Sequence, residues 1–184
     1  VYKRQVNMHR TAFSGRNSEY YSEDPFIGGH IASLECEGVA SRGMYVFVKH
    51  YAINDQEDHR GDREGQYSIA TFLNEQAARE IYLKPFEIAV KEGEAYGIMS
   101  SLNRIGAQWC GGSYALLTQL LREEWGFDGV VVTDWGDMDI VVDGAEAVAA
   151  GNDIIMPGGP PVIQQILKGK EESRLTPVSY THLT

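Results

Sequence analysis

Cysteine is scarce in this chain: only Cys36 and Cys110 occur among 184 residues, with no Cys-x-x-Cys spacing. A disulfide framework and a thiolate metal site are both excluded, and the two thiols are read as free. Long apolar runs are missing as well. The most apolar stretches, such as Met44–Val48 and Val130–Val132, are far shorter than the roughly 20 residues of a membrane-spanning helix, so no membrane partner is expected. Positive charge is thin: 16 Lys and Arg against 26 Asp and Glu give −10 at pH 7. The cations are scattered, so binding to a phosphate backbone, and with it nucleic acid as a partner, is excluded. No G-x-G-x-x-G follows a strand, no Walker loop is present, and neither H-E-x-x-H nor a His/Cys cluster points to a metal. Ser100 and Ser101 lack the G-x-S-x-G elbow of a hydrolase serine. No cofactor and no metal is expected.

What is present is an ordinary folding composition, 43% hydrophobic and 23% charged. Four Val- and Ile-rich segments, Tyr45–Lys49, Ile98–Leu102, Gly129–Thr133 and Asp153–Met156, read as buried strands. Helical patterns lie between them. One runs over Ile69–Leu83, and a second starts at Pro85 and runs to about Glu94. A third, capped by Ser113, places Leu116, Leu117, Leu120 and Leu121 on one face with Arg122 near its end. Asp137 is the expected cap of a fourth, ending at Gly151. A fifth starts at Pro160-Pro161, buries Val162, Ile163, Ile166 and Leu167, and stops at Gly169. Alternating strands and helices predict an α/β fold with a parallel sheet.

Three strands end in polar residues: Lys49-His50, Asn103-Arg104 and Thr133-Asp134. In parallel β/α folds such ends converge on one mouth, and the missing phosphate loops favour a (β/α)8 barrel over an open nucleotide-binding sheet. Asp134, at the end of a Val-rich strand and followed by the flat face of Trp135, suits a sugar, whose C–H faces pack on aromatics while its hydroxyls seek charged acceptors. On residue type alone Asp134 could equally cap a helix. Lys49, His50 and the guanidinium of Arg60 could hydrogen-bond vicinal hydroxyls and keep a nearby carboxylate ionised. The segment Gly15–Pro25 reads as a polar loop in which Arg16 and its acidic neighbours can orient one another.

Taken together, the segments resemble glycoside hydrolase family 3. That family's barrel domain shows a G-R-N-x-E-x-x-x-E-D-P loop, a K-H-F/Y strand end followed by N-x-Q-E-x-x-R, an M-S-x-x-N strand end and an S/T-D-W segment. Here they stand as Gly15–Pro25, Lys49-His50-Tyr51 with Asn54–Arg60, Met99–Asn103 and Thr133-Asp134-Trp135, in the same order and spacing. Glu80–Phe86 and Leu121–Phe127 also match, so the resemblance covers about residues 6–170. It implies a retaining β-glycosidase acting on oligosaccharides or other β-glycosides. Asp134 would be the nucleophile, with Arg16, Lys49, His50, Arg60 and Trp135 binding the sugar.

Leu102 stands where the family commonly has an aromatic in the M-S-x-x-N segment. The K-H-F-P-G-H-G loop of the N-acetylglucosaminidase branch is absent, which favours the β-glucosidase-like branch. In that branch the general acid/base is a Glu from a separate domain; Glu57, Asp58, Asp137 and Asp139 lie near motifs, but nothing marks one of them as the proton donor. A carbohydrate-binding or structural barrel fragment without turnover is the alternative. Residues 1–5 and 177–184 match nothing in the family and resemble translated sequencing adapter. A whole barrel needs about 250 residues, so the expectation is the C-terminal part of a (β/α)8 barrel, incomplete.

Overall fold

The structure is a computed structural model that describes residues 2–60, 69–136 and 142–176. Five strands form one parallel sheet in the order β1-β2-β4-β7-β8: β1 Tyr2–Gln5, β2 Val46–Tyr51, β4 Gly97–Ser100, β7 Val130–Trp135 and β8 Ile154–Met156. Register runs Gln5↔Lys49, Val48↔Ile98, Met99↔Val132 and Val132↔Ile154, every pair parallel. The four predicted strands are present, each shifted by a residue or two; β1, which lacks a run of β-branched residues, adds a fifth. The arrangement is that of an incomplete (β/α) barrel.

The connections are α1 Pro25–Ala40, α2 Glu75–Ala77 continuing into π-helical turns Ala78–Tyr82, α3 Lys84–Lys91, the π-helical α4 Ala115–Glu124, α5 Gly144–Ala150 and α6 Pro160–Glu171. Local chemistry starts most of them. Asp24 Oδ1 accepts from Phe26 N at 2.8 Å and Ile27 N at 2.9 Å ahead of Pro25, and Asn74 accepts from Ala77 N at 2.8 Å. Ser113 Oγ accepts from Leu116 N at 3.3 Å, as its place before the leucine face predicts.

Four expectations are corrected. The helix expected over Ile69–Leu83 begins only after Asn74, because Ala70–Thr71 forms a short strand, β3, parallel to β5 Arg104–Ile105, itself antiparallel to β6 Gln108–Trp109. Asp137 lies outside the described residues; the cap of α5 is Asp143, whose side chain accepts from Ala145 N and Glu146 N, and Gly151 at φ 115° ends the helix as expected. Helix α6 does not stop at Gly169 but runs to Glu171. Gly169 is there because α5 comes so close that a Cβ would sit 2.3 Å from Ala145 Cβ. On α6 Val162 is buried and Ile166 packs at the core margin, whereas Ile163 and Leu167 are exposed.

The core lies between the central strands and α1, α3 and α4. Val46, Val48, Ile98 and Val131 meet Phe86, Leu117, Leu121, Trp125 and Phe127 there. Tyr51 packs edge-on against Phe86 and Trp125 and donates its hydroxyl to Leu116 O at 3.2 Å. Cys36 and Cys110 are buried thiols, and burial pushes the Cys36 thiol up to about 12. No helix among the described residues is long and apolar enough to cross a membrane. Because the strands are parallel, the ends of β2, β4, β7 and β8 open on the same side, and that side gathers the polar groups.

Candidate active site

Strand β7 carries Asp134 inside its last turn of pleat rather than beyond it, with Thr133 fully buried beneath. The Thr133 hydroxyl accepts from Met156 N at 2.9 Å, tying β7 to β8 directly under the carboxylate. Asp134 is 14% exposed. One of its oxygens, Oδ2, is bound by Arg60 Nη2 and lies 3.5 Å from His50 Nε2; the other, Oδ1, accepts from Trp135 N at 2.7 Å. The adjacent Trp135 ring is 69% exposed, a free flat face beside the carboxylate.

His50 reaches this point from the end of β2, where Asn7 grips its backbone in both directions: His50 N donates to Asn7 Oδ1 at 2.8 Å, and Asn7 Nδ2 donates to His50 O at 3.1 Å. Arg60 arrives from the loop after β2. Its Nη1 lies 3.8 Å from Glu57 Oε2, and Glu57 Oε1 lies 3.6 Å from Arg16 Nη1 and accepts from Asn54 Nδ2 at 3.2 Å. Arg16 in turn donates through Nε and Nη2 to the two oxygens of Glu19, both at 2.9 Å. Lys49 Nζ stands 3.7 Å from Glu19 Oε2. The chain of charges Lys49, Glu19, Arg16, Glu57, Arg60 and Asp134 therefore alternates in sign along the mouth, and His50 faces its last member.

Electrostatics follow from that alternation. Burial opposes the charge on Arg16, but Glu19 and Glu57 outweigh it and hold the guanidinium above its ordinary value. The hydrogen bonds from Arg16 hold Glu19 below the usual carboxylate range. Such a site presents fixed donors to hydroxyls.

All six sequence-derived candidates, Arg16, Lys49, His50, Arg60, Asp134 and Trp135, stand at this mouth. Asn103 and Arg104 do not join them. Asn103 is buried, donating to Ala52 O at 3.2 Å and Ile53 O at 3.3 Å with its Oδ1 bonded to Ser101, while Arg104 stacks 4.7 Å over the Trp109 ring. Within Gly15–Pro25 the acidic residues divide: Glu19 orients Arg16, while Asp24 caps α1. Glu19 orients Arg16 as its place among the acidic neighbours suggests, whereas Glu57, read only as a carboxylate near a motif, was not foreseen as the partner of both arginines. The three-residue spacing of the two glutamates from Arg16 and Arg60 was the available signal. Asp55 was missed too; it accepts from Met8 N at 2.6 Å, and its carbonyl accepts from Ser14 Oγ at 3.1 Å, anchoring the segment that leads to Arg16.

The family model described as "Glycosyl hydrolase family 3 N terminal domain" matches residues 5–178. A beta-glucosidase of Ruminococcus albus is 44% identical over 130 residues, 71% of this chain but 13% of that protein. An exo-alpha-(1->6)-L-arabinopyranosidase of Bifidobacterium breve is 38% identical over 172 residues, 94% of this chain and 21% of that protein. Among solved structures, beta-glucosidase 3B of Thermotoga neapolitana in complex with glucose superposes with a TM-score of 0.87 at 37% identity, over 97% of this chain and 25% of that one. The chain thus spans a quarter or less of the length of these relatives.

Proposed function

The chain belongs to glycosyl hydrolase family 3, and on that premise we propose that it supplies the nucleophile-bearing part of a retaining β-glycosidase of β-glucosidase type, which releases terminal nonreducing β-linked sugars. The observation that carries this reading is Asp134 itself: a part-buried carboxylate at a strand end, gripped by Arg60 and faced by His50, with an exposed indole alongside.

In the first step an oxygen of Asp134 attacks the anomeric carbon while the bond to the leaving oxygen breaks, giving a glycosyl-enzyme; water then hydrolyses it. Arg60 binds one oxygen of Asp134 and His50 faces it, which orients the carboxylate for attack. Arg16 and Lys49 offer donors to sugar hydroxyls, contacts that speed the reaction to the extent that they tighten in the oxocarbenium-like transition state. Trp135 offers a stacking face to the sugar. A retaining mechanism also needs a second carboxyl roughly 5–5.5 Å from the first. Glu57 and Glu19 are committed to arginines, and Asp58 is an exposed loop residue. As the family resemblance implies, the acid/base is assigned to a Glu of a further domain, and residues 6–170 to the barrel segment.

The test is Asp134→Asn in a protein that carries this chain together with its acid/base domain. Turnover of an aryl β-glucoside should fall on the order of 10⁴-fold or more, with the far-UV circular dichroism unchanged. Hydrolysis at the parental rate would refute the assignment.

A further inference from the structure

Arg60 divides its guanidinium between two carboxylates. Nη2 binds Asp134, and Nη1 lies 3.8 Å from Glu57 Oε2. Left to itself, an arginine fork beside a single carboxylate closes on it with two parallel N–H···O bonds. Such closure stabilises the carboxylate anion in the ground state and occupies lone pairs that a nucleophile must present to carbon, so it lowers reactivity rather than raising it. Here the second arm is drawn aside. Glu57 is itself fixed for this, since its Oε1 is held by Asn54 Nδ2 at 3.2 Å and faces Arg16 at 3.6 Å, and the side chain is only 14% exposed.

We propose that Glu57 is a positioning residue that shares Arg60 with the nucleophile: its charge holds one arm of the fork away from Asp134, so that the attacking carboxylate keeps a single guanidinium contact. This rests on the reading of Asp134 as nucleophile. Arg16 keeps its two bonds to Glu19 whatever happens at Glu57, so sugar binding depends on Glu57 less than attack does.

The experiment uses 2,4-dinitrophenyl 2-deoxy-2-fluoro-β-glucoside with a protein carrying this chain and its acid/base domain. The Asp134 O–C1 bond forms, the C1–O bond breaks, and dinitrophenolate leaves with the electron pair, needing no proton. Release of dinitrophenolate is followed by its visible absorbance, and the labelled residue is located by mass spectrometry. Glu57→Gln preserves shape and removes charge; Glu57→Asp preserves charge and shortens the arm. The limiting labelling rate should fall about tenfold in Glu57→Gln, with the half-saturating concentration changed less than about threefold, and Glu57→Asp should retain more rate than Glu57→Gln. A role in packing alone predicts the reverse order, since Gln is the closer isostere. A Glu57→Gln rate equal to the parent, or a Glu57→Asp rate below that of Glu57→Gln, overturns the proposal; if Glu57→Gln does not fold, a loss in Glu57→Asp of more than about threefold overturns it and retention within about threefold supports it. A parent protein that is unlabelled, or labelled away from Asp134, would instead sink the underlying functional reading.

Discussion

Asp55 shows what a single side chain contributes to the energetics. Burial raises its carboxyl to about 6, although the hydrogen bond from Met8 N pulls the other way. Between roughly pH 4, where an unfolded aspartate ionises, and pH 6 the folded chain therefore holds a proton that the unfolded chain has released. Stability is greatest below that window and falls as pH rises through it, by about 2–3 kcal/mol once both states are ionised. Asp55→Asn keeps an oxygen for Met8 N and removes the charge. Urea midpoints should show the variant stabilised by about 1–2 kcal/mol at pH 7 and level with the parent at pH 4; a loss of stability at pH 7 would contradict the account. At this scale the sequence was partly readable. Asp134 stood out because it closes a Val-rich strand and precedes a tryptophan. Asp55 and Glu57 did not, because an acidic residue in a polar loop looks the same whether it meets water or a guanidinium.

Arg122 performs a comparable service between elements. From the last turn of α4 it donates to Gly129 O at 3.1 Å, to Gly151 O at 3.3 Å and to Asp153 Oδ2 at 2.7 Å, and that same oxygen accepts from Val131 N at 2.7 Å. One side chain thus ties the starts of β7 and β8 to the helix that precedes them, and with them the register that carries Asp134. Arg122→Ala leaves these acceptors without their donor. It should cost about 2 kcal/mol, read as a thermal midpoint lower by roughly 4–8 °C; an unchanged midpoint would show that the clamp is idle. Helix α4 was legible from its leucine spacing, and α1 and α2 start where Asp24 and Asn74 supply caps. Among what was not legible are β1, which lacks a run of β-branched residues, β3, too short to carry a periodic pattern, and Gly169, whose meaning lies in a partner helix 24 residues earlier rather than in a helix end.

For the molecule as a whole, the telling feature is apolar surface at its flanks. Ile27, Ile31 and Leu34 lie on one face of α1 and are exposed, as are Ile163 and Leu167 on α6. Among the described residues, one edge of β1 and one of β8 have no strand partner. Open parallel edges beside apolar helix faces favour association. Produced by itself, this chain should bind the dye ANS and show an apparent mass in gel filtration that grows with concentration; a dye-silent monomer would contradict that. The sequence by itself determined the alternation of strands and helices, the family, and the six residues at the mouth, because hydrophobic period and motif spacing are written locally. Only the tertiary structure decided which charge faces which. The pairing of Glu57 with both Arg16 and Arg60, and of Arg60 with Asp134, depends on how closely two loops approach each other and the end of β7, and at distances of a few ångströms that approach sets the strength of every contact.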